Sequence, residues 1–172
     1  MATCTRCAAG SYQGGDGATS CEECTEHSWC SEGSSAPTPC DAGTVGRFRG
    51  LRLRSECEPC PAGSWCSAGV AIPCAAGTWS PETGQSNMGT CAACPIASTS
   101  AVGADSLRSC KCMEGYYDSA ASRDEVNCTV CATGMDCTAS GTTLQALPLE
   151  VGYWRSDNLS ADVRLCPDTR SE

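Results

Sequence analysis

The stretch Cys57-Glu-Pro-Cys60-Pro-Ala-Gly63-Ser-Trp65-Cys66 decides how this chain folds. It overlays two motifs. Cys57 and Cys60 form a Cys-x2-Cys pair, and a third cysteine, Cys66, follows after five residues. The pair recurs at Cys4/Cys7, Cys21/Cys24, Cys91/Cys94 and Cys128/Cys131, and the third cysteine recurs at Cys30 and Cys137. From Cys21 onward the pairs begin 36, 34 and 37 residues apart, so the chain is an array with a period near 35.

The second motif is Cys-x2-Gly, followed by Ser or Thr and then an aromatic residue. Cys60-Pro-Ala-Gly63-Ser-Trp65 is matched by Cys7-Ala-Ala-Gly10-Ser-Tyr12, Cys74-Ala-Ala-Gly77-Thr-Trp79 and Cys112-Met-Glu-Gly115-Tyr-Tyr117. Cys40-Asp-Ala-Gly43 and Cys131-Ala-Thr-Gly134 are looser copies. Gly enters the positive-φ region without steric penalty, so each copy predicts a tight turn with an aromatic beside the nearby disulfide. His27 and Ala97 stand where two further copies would have Gly, and those turns are expected to differ in detail.

Composition says why cysteine must dominate. The 172 residues hold 18 Cys but only 18 Leu, Ile, Val and Phe together. A chain so poor in large aliphatics cannot bury a conventional core. Cross-links must take its place; a disulfide closing a loop of ~15 residues is worth roughly 3 kcal/mol. Such bonds persist outside the cell and in the secretory pathway, which sets the expected location as extracellular, secreted or at the cell surface. Met1-Ala2-Thr3 runs into Cys4 with no basic start and no apolar stretch, which reads as a segment of a larger secreted protein. No run of apolar residues is long enough for a membrane span, so no membrane insertion is expected in this segment. A net charge of −9, with Lys111 the one lysine, argues against a nucleic-acid partner.

Connectivity is not fixed by sequence. The local scheme gives each Gly turn the next cysteine as partner: Cys7–Cys21, Cys40–Cys57, Cys74–Cys91, Cys94–Cys110 and Cys112–Cys128. Cys24–Cys30, Cys60–Cys66 and Cys131–Cys137 remain as short loops, against nested alternatives such as Cys24–Cys40. Cys4 and Cys166 are left over, each needing a partner outside the chain. Short strands are expected at 10–13, 44–48, 77–80, 115–118 and 152–155. The stretch Arg47-Phe-Arg-Gly-Leu-Arg-Leu-Arg54 alternates at period two, like an exposed ribbon. The expected fold class is small and disulfide-rich: an elongated tandem array of short β-hairpin modules with little regular secondary structure. Its divisions are a partial first repeat at 1–20, repeats at 21–56, 57–90 and 91–127, and a partial repeat at 128–141. A Leu- and aromatic-rich tail at 142–172, cysteine-free from Thr142 to Leu165, reads as the start of a further module.

Cys60-Pro-Ala-Gly-Ser-Trp-Cys66, Pro73-Cys74-Ala-Ala-Gly-Thr-Trp79 and Cys91-Ala-Ala-Cys94 together resemble ephrin-receptor-like cysteine-rich repeats, which are similar in style to tumour-necrosis-factor-receptor modules. The resemblance covers residues 4 to about 137. The tail Pro148-Leu-Glu-Val-Gly-Tyr-Trp-Arg155, ending at Cys166-Pro167, resembles the stretch after such repeats in very large surface proteins of algae and other protists. The resemblance implies an extracellular rod, and flagellar-hair (mastigoneme-like) filaments as a specific setting.

Rival chemistry is weak. Zinc sites pair Cys-x2-Cys motifs about 15–20 residues apart, whereas these recur near 35. Redox use of Cys-x2-Cys needs a βαβ setting that is not legible here. His27 has no nucleophile context, and Asp124-Glu125-Val-Asn127 has the wrong order for a calcium-binding lead-in. No catalytic residue, metal site or cofactor is expected, and the chain reads as non-enzymatic. Arg47, Arg49, Arg52 and Arg54 are a candidate contact surface for an acidic neighbour or a charged glycan. Asn127-Cys-Thr129 and Asn158-Leu-Ser160 are N-glycosylation sequons. Ser34, Ser35, Pro37, Thr38 and Pro39 are candidate acceptors for O-linked sugar, on Ser, Thr or hydroxylated Pro, unless the segment is a stiff linker. The expected function is a structural segment of a repetitive glycoprotein that forms or decorates a filament or surface coat. Its partners would be neighbouring copies or other filament and surface proteins, with covalent glycans. A ligand-binding receptor ectodomain is the alternative.

Overall fold

The computed structural model describes residues 5–122 and 124–167. Cys4 therefore lies outside the described residues. The fold is disulfide-rich, 7% helical, and made of eight two-stranded antiparallel hairpins. It divides into two compact units, Met1–Cys74 with Ser80–Ala92, and Ala75–Trp79 with Ala93–Glu172.

Every hairpin starts from the same turn. Gly10, His27, Gly43, Gly63, Gly77, Ala97, Gly115, Gly134 and Gly152 all have positive φ, between 61° and 92°. The closing bond runs from the next residue's N–H to the carbonyl three residues back, as in Ser11 to Ala8 (3.0 Å), Thr44 to Asp41 (3.0 Å) and Thr78 to Ala75 (3.0 Å). Positive φ at the third of four turn residues is what a type II turn requires. The Ser or Thr of the motif has its own task. Its hydroxyl donates to that same carbonyl, at 2.7 Å for Ser11, 2.8 Å for Thr44, and 2.7 Å for both Thr78 and Ser98. His27 and Ala97 do not make different turns; they are forced into the left-handed region at φ 70° and 61°. Nine turns in this span make the structural repeat one hairpin of 14 to 20 residues, half the period legible in the cysteine pairs.

Pairing register follows from the turn. The residue after the turn pairs with the residue before the next hairpin's first cysteine: Ser11 with Glu23, Ser28 with Pro39, Thr44 with Pro59, Ser64 with Pro73, Tyr116 with Val130. Ser98 pairs with Cys112, one residue off this rule. The tail obeys it. Tyr153 pairs with Leu165 and Trp154 with Arg164, directly before Cys166. Residues 149–166 thus form another copy of the hairpin.

Successive hairpins join through backbone atoms. In the first unit, the Gly10 N–H donates to Cys30 O (2.8 Å), and the Gly10 carbonyl accepts from Cys24 N (2.9 Å). The same reciprocal pair links His27 with Gly46 O (2.8 Å) and Cys40 N (2.9 Å), and Gly43 with Cys66 O (2.9 Å) and Cys60 N (2.8 Å). In the second unit it links Gly115 with Cys137 O (2.9 Å) and Cys131 N (3.0 Å). A third bond comes from a loop glycine back to the previous hairpin's first cysteine, as in Gly33 N to Cys7 O (2.8 Å) and Gly141 N to Cys112 O (2.7 Å). Together these satisfy polar groups that so thin a core could not bury.

That core is largely sulfur. Among the described residues, eleven of the seventeen buried hydrophobic side chains are cysteines. In the first unit, Trp29 packs on Cys40, Cys57 and Leu51, and Ala71 packs on Val45, Cys60 and Cys66. An aromatic therefore lies on the disulfide of the following hairpin. In the second unit, Tyr117, Met135, Cys137 and Leu147 form the largest cluster, with Leu144 and Val163 against it.

The stretch 47–54 is not a ribbon. Leu51 turns inward to bridge Trp29, and Arg54–Glu56 is a turn of 3-10 helix. The Glu56 carboxylate accepts from the Arg52 N–H at 2.6 Å, a local bond that overrides the alternating pattern.

Candidate functional site

Among the described residues, sixteen cysteines close eight disulfides. Long loops are Cys7–Cys21, Cys40–Cys57, Cys74–Cys91, Cys94–Cys110 and Cys112–Cys128; short loops are Cys24–Cys30, Cys60–Cys66 and Cys131–Cys137. These are the pairs of the local scheme, and nested pairs such as Cys24–Cys40 are not formed. Sulfur held in a disulfide is no longer a thiolate ligand. Among the described residues, no group of three or more His, Cys, Asp or Glu is arranged around a metal position. Cys166 is free and exposed. Its N–H donates to Gly152 O at 2.7 Å, the place that Cys24, Cys40, Cys60 and Cys131 occupy in their own hairpins.

Three of the four arginines have partners within the chain. Arg47 pairs with Glu58 at 3.1 Å, Arg49 with Glu26 at 3.7 Å, and Arg54 with Asp41. All are exposed, and exposed pairs contribute at most about 1 kcal/mol each. Arg52 makes no ion pair among the described residues and lies beside the Gly10 turn.

The Ser34–Pro39 segment is not a free linker. Ser34 bridges Tyr12, and Thr38–Pro39 is the return strand paired with Ser28–Trp29. Ser35 and Thr38 are exposed, Ser34 and Pro37 half-buried. Asn127 and Asn158 are both exposed but differ in setting. Asn127 leads into the strand Cys128–Val130, and its N–H donates to Asp118 Oδ1 at 3.0 Å. Asn158 sits in an irregular turn with its side chain unengaged; only its carbonyl is held, by Arg155 at 3.4 Å.

Local hydrogen bonds move three acidic groups from their ordinary values. A hydrogen bond to Glu22 raises the Tyr12 phenol above its ordinary value. The Thr138 hydroxyl, and then its N–H, hold the Asp136 carboxyl below the usual range. Arg164 does the same for Asp162, first by hydrogen bonding and then by charge.

No family model matches this chain, and no curated protein matches it.

One feature of the second unit was not legible in the sequence. An open groove of about 790 Å³ is lined by Arg108, Lys111, Asp118, Glu125, Leu144 and Leu159 among others. Its walls come from four separate stretches of chain, so no local motif announces it. Arg108 is bound to Asp124 at 3.0 Å on its rim.

Proposed function

We propose that this chain is a structural, non-catalytic segment of an extracellular repetitive glycoprotein that forms or decorates a filament or surface coat, of the mastigoneme-like kind. The observation that supports this most is the backbone joint between hairpins. It asks for no particular side chains beyond cysteines and a turn residue, so copies can be added in series without a shared core. Eight disulfides protect such a material where no chaperone or reducing pool operates. The ephrin-receptor-like resemblance, with its elongated rod, belongs to the same reading. Neighbouring copies, other coat proteins and covalent glycans are the partners proposed.

The test is electron microscopy of native surface material, labelled with antibody raised against this chain. Labelling along filaments or a continuous coat is expected. Label confined to dispersed molecules in the membrane, alongside a soluble ligand that co-purifies, would overturn the reading in favour of a receptor ectodomain. The groove in the second unit, with charge of both signs at its walls, is the feature that favours that second reading.

A further inference from the structure

The two sequons differ in one physical respect. Asn158 stays in an exposed turn in the folded chain, whereas the Asn127 sequon is built into a disulfide-closed ladder. Four contacts hold it. The Asn127 N–H donates to Asp118 Oδ1 (3.0 Å), and its carbonyl accepts from both Ser119 N (2.9 Å) and Ser119 Oγ (3.1 Å). The Thr129 hydroxyl lies 2.8 Å from the Ser119 hydroxyl. The residue between them, Cys128, pairs with Asp118 across the strand and is bonded to Cys112. An acceptor sequon must present itself as a pliable surface loop. Asn127 does so only before this ladder forms.

We infer that Asn127 is an N-glycan acceptor only while the Cys112–Cys128 bond is open, and that Asn158 accepts before or after folding. Disulfide closure thereby sets the glycan pattern of the second unit. The inference rests on the secretory reading above. In the transfer, the bond from the sugar's anomeric carbon to the pyrophosphate of a polyprenyl carrier breaks. A bond from that carbon to Asn127 Nδ2 forms, one Nδ2 proton passes to a base of the transferase, and polyprenyl pyrophosphate leaves. In the competing step, the Cys112 and Cys128 thiols give two electrons and two protons to the disulfide of an oxidised dithiol carrier. Asn127 is exposed in the closed state, so a glycan placed first does not block closure.

The experiment is translation of the full chain, behind a secretory leader, into microsomes with and without dithiothreitol. Occupancy at each asparagine is read by peptide mass spectrometry. Reductant is expected to raise Asn127 occupancy severalfold and to leave Asn158 nearly unchanged. Cys112→Ser keeps the sequon but removes the cross-link, and should raise Asn127 to the same degree without reductant. The readout does not need that variant to fold. Equal Asn127 occupancy in all arms, or none in any arm while Asn158 is modified, overturns the inference. Absence of glycan at both sites in every arm overturns the secretory reading beneath it.

Discussion

His27 shows how far a single residue can be pressed into a fold. Its φ of 70° costs an L residue roughly 1–2 kcal/mol, yet the turn forms. The repayment lies in its neighbours. The His27 N–H and carbonyl both make joint bonds, and its Nδ1 lies 3.1 Å from Gly69 O. A Cβ at Gly69 would overlap the His27 carbonyl, while one at Gly84 would meet nothing, although their φ values are 79° and 75°. Both substitutions to Ala carry the left-handed penalty of roughly 1–2 kcal/mol. Gly69→Ala should be clearly the more destabilising, by the added cost of forcing the joint apart. Denaturant midpoints with disulfides intact check this, and equal midpoints would mean the close approach is unimportant. Sequence motif alone pointed to Gly at these turns because Gly is the residue that adopts them freely. It could not show that His27 and Ala97 obey the same geometry, since their strain is relieved by bonds from residues far along the chain.

At the level of the hairpin, the ninth copy differs from the rest in having no disulfide. By register, Leu149 stands where Cys112 does, three residues before its turn glycine, and Val163 stands where Cys128 does, opposite the third residue after it. Both are apolar, and Val163 packs on the Tyr117, Met135 and Leu147 cluster. An apolar pair thus takes the position of a cross-link. Leu149→Cys with Val163→Cys should close a new bond, seen as a loss of two hydrogens in the intact mass. A loop of about 15 residues predicts a gain of up to ~3 kcal/mol, less the packing lost by Val163. Failure to oxidise, or closure with no rise in the unfolding midpoint, would show that the register equivalence does not extend to side-chain geometry. Strands near 10–13, 44–48, 77–80, 115–118 and 152–155 were legible because an aromatic or β-branched residue follows a turn signal. Their return strands, such as Glu22–Glu23 and Ala92–Ala93, carry no such pattern. Glu22–Glu23 and Ala92–Ala93 are held as strands by the bonded cysteines beside them, Cys21 and Cys91.

For the molecule as a whole, cross-linking replaces burial. Typical disulfides contribute about 2–4 kcal/mol each, and eight of them outweigh what six buried non-cysteine hydrophobic side chains supply. Full reduction and alkylation should therefore collapse amide dispersion in a proton–nitrogen spectrum to that of a disordered chain at 25 °C. A spectrum that stayed dispersed would assign stability to the joints instead. Composition made this dependence on sulfur readable, whereas the half-period of the repeat was hidden because some hairpins close their cysteines over 14 to 17 residues and others over six. The joint between hairpins carries a further implication for descent. Its bonds run between main-chain atoms, so selection acting on them sees a turn conformation and a spacing rather than particular side chains. Mutations elsewhere on the surface can accumulate almost neutrally. Two lineages could retain the same stacked hairpins while sharing little beyond the rhythm of their cysteines, and kinship in such proteins is better sought in that rhythm than in residue identity.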